Sequence, residues 1–307
     1  MKIPALFSVT VIALTAVVLG GYSGGRASAA PSVPDLSGFQ ATPYEPYLAS
    51  DEVVYFKTPD GLQCAMVPQQ HMAGCSGTLP GAPVGANSIA FSPNDTGRGL
   101  QVTNNAGTVR PGAGSAAVLP VGRKIVYQDI ECGVGEGRVT QCTQGSPPQQ
   151  WLVIGPNGTG IGPPTAGLPV DYPDPNDFVR TEDSYVPGEG AKNIFPVFTV
   201  ARGLTCKMSI YSGGQIFCGG KLSGVTNGDD EVYVELAGAA GTRKAQGLPK
   251  PTYPGPVRQL PAGRKISTYG STCMALDDGG VACFGAAGSG PQGFLVTSTT
   301  TTTFGGR

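Results

Sequence analysis

Eight cysteines divide this 307-residue chain into two runs of four, at positions 64, 75, 132 and 142 and again at 206, 218, 273 and 283. Corresponding members lie 142, 143, 141 and 141 residues apart. A spacing kept four times over marks an internal repeat, and so long a period means a whole folding unit copied once. The flanking residues agree. Leu62-Gln63-Cys64-Ala65-Met66 answers Leu204-Thr205-Cys206-Lys207-Met208. Leu119-Pro120-Val121-Gly122-Arg123-Lys124-Ile125 answers Leu260-Pro261-Ala262-Gly263-Arg264-Lys265-Ile266, and Trp151-Leu152-Val153 answers Phe294-Leu295-Val296. The first repeat is assigned to residues 53–154 and the second to 192–307. A lead-in, 30–52, precedes them, and a Gly/Pro-rich linker, 155–191, joins them.

Within each repeat the pattern is that of strands. Leu204, Cys206, Met208 and Ile210 alternate with Thr205, Lys207, Ser209 and Tyr211, the period of two that a half-buried strand requires. Ser212-Gly213-Gly214 then supplies a turn, and Asp277-Asp278-Gly279-Gly280 supplies another between Thr272–Leu276 and Val281–Phe284. Glycine (48) and proline (28) form about a quarter of the chain, twice average usage, which multiplies turns and discourages helices. The expected fold is mostly β: two tandem homologous small β-barrel or β-sandwich domains, each with two disulfides. Hairpin geometry favours sequence neighbours, Cys64–Cys75, Cys132–Cys142, Cys206–Cys218 and Cys273–Cys283. Spacing alone leaves the other two connectivities per repeat open.

The N-terminus carries an address. Lys2, the apolar run Ile3–Gly20 and Ala27-Ser28-Ala29 have the order of a cleaved signal peptide, residues 1–29. No transmembrane span is then expected after cleavage. Export favours disulfides over zinc for an even cysteine count.

The stretch Phe56-Lys57-Thr58-Pro59-Asp60-Gly61-Leu62-Gln63-Cys64-Ala65-Met66 resembles the Phe-x-Ser-Pro-Ser-Gly-Asn-Ile-x-Cys-x-Met start of a family of small exported four-cysteine proteins from mycobacteria and related actinobacteria, whose function is unknown. The second repeat has Ala201-Arg202-Gly203 where the first has Pro59-Asp60-Gly61, and neither keeps the family's Gly-His-Gly-Phe-like ending. The resemblance implies an exported protein of the actinobacterial envelope and transfers no catalytic residue.

Little else in the sequence speaks of chemistry. His71 is the single histidine and has no counterpart in the second repeat, so a histidine-based triad in each repeat is excluded. No phosphate loop or nucleophile elbow occurs in the mature chain, and no cofactor or metal is expected. A formal net charge of −1 gives no field that would attract nucleic acid. The carboxylates of Asp171–Asp177, Asp229–Glu231 and Asp277–Asp278 fall in turns, where Asp favours the backbone geometry. Arg123 and Lys124, with Arg264 and Lys265, recur between a Gly and an Ile and are the candidate ligand-binding residues, since guanidinium groups grip phosphate or carboxylate. Trp151, matched by Phe294, reads as a packed site. The expected function is a non-catalytic binding or interaction module of the cell envelope, its partner an unknown envelope component or protein. The alternative is an envelope hydrolase using carboxylates that the fold brings together.

Overall fold

The computed structural model describes residues 31–93, 99–104, 107–111, 115–181, 185, 195–208, 215–235, 239–245, 255–268, 270–287 and 290–305. Residues 1–29, where a signal peptide is expected, and the turn expected at Ser212–Gly214 lie outside the described residues. Among those described, the chain is almost wholly strand and turn, with four short 3-10 turns and no α-helix.

In chain order, β1 (Gln40–Thr42) comes from the lead-in. A meander follows: β2 (Val54–Lys57), β3 (Gln63–Val67), β4 (Met72–Ser76), β5 (Ser88–Phe91) and β6 (Gly99–Gln101). A second meander is β7 (Arg123–Tyr127), β8 (Ile130–Gly135), β9 (Val139–Gln144), β10 (Gln150–Gly155) and β11 (Gly158–Gly162). The two meanders pack face to face, β5 over β10 and β4 over β9. Their facing side chains, including Phe56, Met66, Phe91, Ile125 and Leu152, are fully buried. Inward and outward residues alternate along each strand, which is the periodicity the sequence carries.

The stretch 155–191, whose composition reads as a linker, contains β12 (Val179–Arg180) as well as β11. Beyond it, β13 (Val197–Thr199), β14 (Thr205–Met208), β15 (Ile216–Gly219), β16 (Glu231–Val234) and β17 (Ala240–Arg243) form a sheet, edged by β18 (Arg258–Gln259). That sheet packs on β19 (Arg264–Thr268), β20 (Ser271–Ala275), β21 (Val281–Ala287), β22 (Gly290–Val296) and β23 (Thr301–Phe304). Phe198, Met208, Val232 and Phe294 fill this second core. Neither sandwich closes into a barrel. The sheets run β1-β7-β8-β9-β10-β11, then an eleven-stranded β2-β3-β4-β5-β6-β12-β19-β20-β21-β22-β23, then β17-β16-β15-β14-β13-β18.

All eight cysteines are buried and bonded to their sequence neighbours: Cys64–Cys75, Cys132–Cys142, Cys206–Cys218 and Cys273–Cys283. Each pair stands directly opposite across a hairpin, with Cα atoms 4.0–4.1 Å apart. The closed loops are short, so in the chain-entropy picture each bridge stabilises by about 3 kcal/mol.

The outer face of each second meander is covered by the segment upstream of it. Leu36 and Phe39 lie on Gly133, where an added Cβ would stand 2.9 Å from Leu36. In the other sandwich, Leu168, Tyr172 and Phe178 cover Met274, Ala282 and Leu295. Tyr47 of the lead-in is buried too, and Tyr44 stacks on Tyr127 with ring centroids 4.8 Å apart.

Candidate functional site

The two Arg-Lys pairs begin β7 and β19, and each strand takes a parallel partner from the covering segment. Gln40 and Ala41 of β1 stand opposite Arg123 and Lys124, and Val179 and Arg180 of β12 stand opposite Arg264 and Lys265. From there the pairs diverge. Lys124 Nζ meets Glu131 Oε2 at 3.2 Å on the surface. Lys265 is 3% exposed, and its Nζ donates to the Pro175 carbonyl at 2.7 Å. Arg264 Nη2 donates to the Val84 carbonyl of the first sandwich at 3.3 Å. The ammonium of Lys265 passes over Gly99, where a Cβ would stand 2.6 Å from Nζ and where the backbone φ is +101°. Only glycine meets both conditions. The second pair therefore clamps the two sandwiches together, and the four candidate residues do not converge on one ligand.

What the clamp holds in place is a cleft of about 390 Å³. The first sandwich supplies its apolar floor, Leu100, Val153 and Ile161, and one rim from Asn157 to Gly160. Pro31 and Pro83 close the sides. Asp174, Asn176 and Asp177 form the facing wall, on the 3-10 turn Pro175–Asp177. Asp174 fixes that turn, because its Oδ1 accepts from the Asn176 N–H at 2.9 Å. Burial pushes the Asp177 carboxyl up to about 6, helped by the neighbouring charge of Asp174 and opposed by Lys265. An apolar floor with a few convergent polar groups and a perturbed carboxyl is the general form of a ligand site.

The other sequence candidates have structural tasks. Asp278 accepts from the Gly280 and Ser298 backbones, Asp229 from Asn227 and Thr242, and Asp230 from Ala245. Glu231 holds Arg243 at 2.6 Å. Trp151 is packed, but not as the counterpart of Phe294: Phe294 faces inward opposite Cys283, where the first sandwich has Leu152 opposite Cys142, and Trp151 stands on the other face opposite Thr143. Its indole lies over Gly162 and donates to the Pro31 carbonyl at 2.8 Å, so its face is not open to a sugar.

His71 is exposed but has a carboxylate partner: its Nδ1 lies 2.9 Å from Asp129 Oδ2. Gln144 Nε2 donates to the same oxygen at 2.7 Å. Partial burial works against the Asp129 charge, and the bonds from Gln144 and His71 outweigh it, holding the carboxyl below its usual range. Among the described residues no hydroxyl or thiol hydrogen-bonds to His71, and no cluster of three metal-ligating side chains occurs.

The cleft wall falls in the stretch whose composition reads as a linker. One signal could have found it: Pro34-Asp35 and Phe39 recur as Pro173-Asp174 and Phe178. The turns they make match, since Ser37 N–H donates to Asp35 Oδ1 at 2.9 Å, the same length as the Asn176–Asp174 bond.

Among the described residues no helix is long and apolar enough to cross a membrane. No family model matches the chain, and neither the curated proteins nor the solved structures contain a match to it.

Proposed function

We propose that this chain is an exported, non-catalytic binding protein of the actinobacterial cell envelope, built from two copies of one four-cysteine unit, whose ligand occupies the cleft where the copies meet. The envelope assignment rests on the signal-like N-terminus and the family resemblance of Phe56–Met66. Four buried disulfides are consistent with an oxidising compartment. The duplication is supported by the cysteine offsets and by matched backbone bonds. Leu119 N–H to Lys57 O and Leu260 N–H to Thr199 O are both 2.8 Å, and Gly77 to Asn87 and Gly220 to Asp230 are both 2.9 Å.

The observation that carries the binding function is the cleft itself, with Leu100, Val153 and Ile161 below and Asn157, Asp174 and Asp177 around it. The experiment is co-sedimentation of oxidised residues 30–307 with peptidoglycan, polysaccharide and lipid fractions. Saturable binding to one fraction is expected, weakened at least tenfold by Asn157→Trp, which fills the cleft from an exposed turn. Binding that ignores Asn157→Trp and Asp177→Asn would move the site elsewhere. Arg123→Ala is the control and is expected to leave binding unchanged.

A second reading, an envelope hydrolase, is favoured by one observation. Asp177 holds its proton to about 6 in the same cleft as a second carboxyl, Asp174, and a pair of carboxyls can divide the roles of acid and base. Release of soluble fragments from any fraction, lost in Asp177→Asn, would establish it.

A further inference from the structure

The contact that joins the two sandwiches has two halves whose counterparts lie at the outer edges of the two six-stranded sheets among the described strands. At the joint, β12 lies between β6 and β19: Arg180 stands opposite Gln101 on one side and Lys265 on the other. The counterpart of β12 is β1, which pairs with β7 and is outermost in its sheet among the described strands. The counterpart of β6 is β17, since Ile89 faces Leu100 as Val232 faces Thr242, and β17 is likewise outermost. Adjacent residues of a strand send their backbone groups to opposite sides. Gln40 N–H is bonded inward to Gly122 O, so Ala41 presents its N–H and C=O outward, as Arg180 does toward β6.

A groove marks the same place independently. On the second sandwich, Gly224, Thr226, Thr242 and Thr301 line an open groove of about 340 Å³. These residues answer Gly81, Pro83, Leu100 and Thr159 of the cleft, and Thr159 and Thr301 make the same bond, their hydroxyls donating to the carbonyls of Pro80 and Ser223 respectively. The cleft has one more wall, the turn carrying Asp174 and Asn176, and the groove has none. The turn of matching shape is Asp35–Ser37, in the lead-in. Asp35, Ser37, Gln40 and Ala41 are exposed, whereas Asn176 and Val179 of the second turn are buried against the first sandwich.

We propose that the protein assembles head to tail with a second copy of itself: the lead-in of one chain, Asp35–Thr42, docks on β17 and the Thr226–Thr242–Thr301 groove of the next. The inference rests on the equivalence of the two units. Each junction completes another cleft, with Asp35 and Ser37 as its wall. Arg123 stands where Arg264 reaches Val84 O, and so faces the Asn227 carbonyl of the second copy. Such a contact is heterologous, so it repeats into open oligomers or closes only as a ring. It is also small, so the association is weak and concentration-dependent.

The test uses oxidised residues 30–307. Sedimentation velocity at rising concentration should show mean mass climbing past the dimer, and Ala41→Pro, which removes the outward donor, should lower the association constant at least tenfold. Chains carrying Ala41→Cys and Arg243→Cys, mixed, should form a disulfide-linked heterodimer. Gln101→Cys with Arg180→Cys in one chain is the internal control. If the control closes while the mixture stays unlinked and monomeric, assembly is overturned and the equivalence of the units stands. If the control does not close, the register falls and both go with it. Ala41→Cys chains that link only to each other overturn the head-to-tail geometry.

Discussion

Lys124 and Lys265 occupy the same register, second in a strand that follows a Gly and carries a parallel partner, yet they live in different surroundings. Lys124 is ion-paired with Glu131 at the surface, and Lys265 is buried at the joint. A second row of matched positions diverges in the same way. On the outer face of β3 to β6 stand Ala65, Gly74, Ala90 and Gly99, all buried, with Tyr55, Val67 and Ala116 packed about Ala65. The corresponding row on β14 to β17 is Lys207, Phe217, Tyr233 and Gly241. There Lys207 lies 4.5 Å from the Phe195 ring, and Arg243 covers Tyr233 at 4.5 Å and Phe217 at 5.4 Å. Most inward positions are hydrophobic in both sandwiches, as with Met66 and Met208 or Ile89 and Val232. Outward positions follow whatever each face meets, which is another chain segment in one and an aromatic–cation layer in the other.

The inward likeness is the part that should survive the strongest perturbation. Replacing Cys132 and Cys142 together by Ala, or Cys273 and Cys283 together, should cost about 3 kcal/mol each, because both pairs close loops of the same length in equivalent hairpins. Urea unfolding of the two double variants checks this. Costs differing by more than about 2 kcal/mol would mean that one bridge holds a region the other does not. The outward difference predicts a smaller and unequal pair. Lys265→Met strips a buried carbonyl of its charged donor and should cost about 2 kcal/mol. Lys124→Met breaks a half-buried ion pair at the sheet surface and should cost under about 1 kcal/mol. Equal costs would place Lys265 in solvent and dissolve the clamp.

The inward half of this comparison was legible in the residues and the outward half was not. Cysteine spacing, period-two alternation and Gly-containing turns are local, so the hairpins and their four bridges followed from them. The strand at the joint between the sandwiches is Val179 and Arg180, too short to show any period and paired in parallel with residues about 80 positions away on both sides. Nothing local marks such a strand, and the prolines and aspartates around it carry the composition of a linker. The cleft was missed for the same reason, because its wall is that stretch. His71 follows the short turn Pro68–Gln70 between β3 and β4. It is exposed there, at φ 47°, and the Asp129 partner that meets it comes from the opposing sheet.

The smallest effect separates the two regions by sign. Asp177, in the cleft, keeps its proton to about 6, whereas an unfolded aspartate loses it near 3.9. Between those values the folded chain binds more protons than the unfolded one, so this group makes stability fall as pH rises through about 4 to 6. Asp177 is only half-buried, and solvent screening reduces the effect to about 1 kcal/mol or less. Asp129, in the first sandwich, is shifted downward by Gln144 and His71. It contributes stability above the ordinary carboxylate range, and that contribution is lost as pH falls through its lowered pKa. Asp177→Asn should therefore remove a decline in the urea midpoint between pH 4 and 6, and Asp129→Asn should soften the loss on the acid side. A midpoint that keeps its decline in Asp177→Asn would mean that the carboxyl is hydrated in the folded chain, and the cleft would then lack the low-dielectric wall on which its binding role depends.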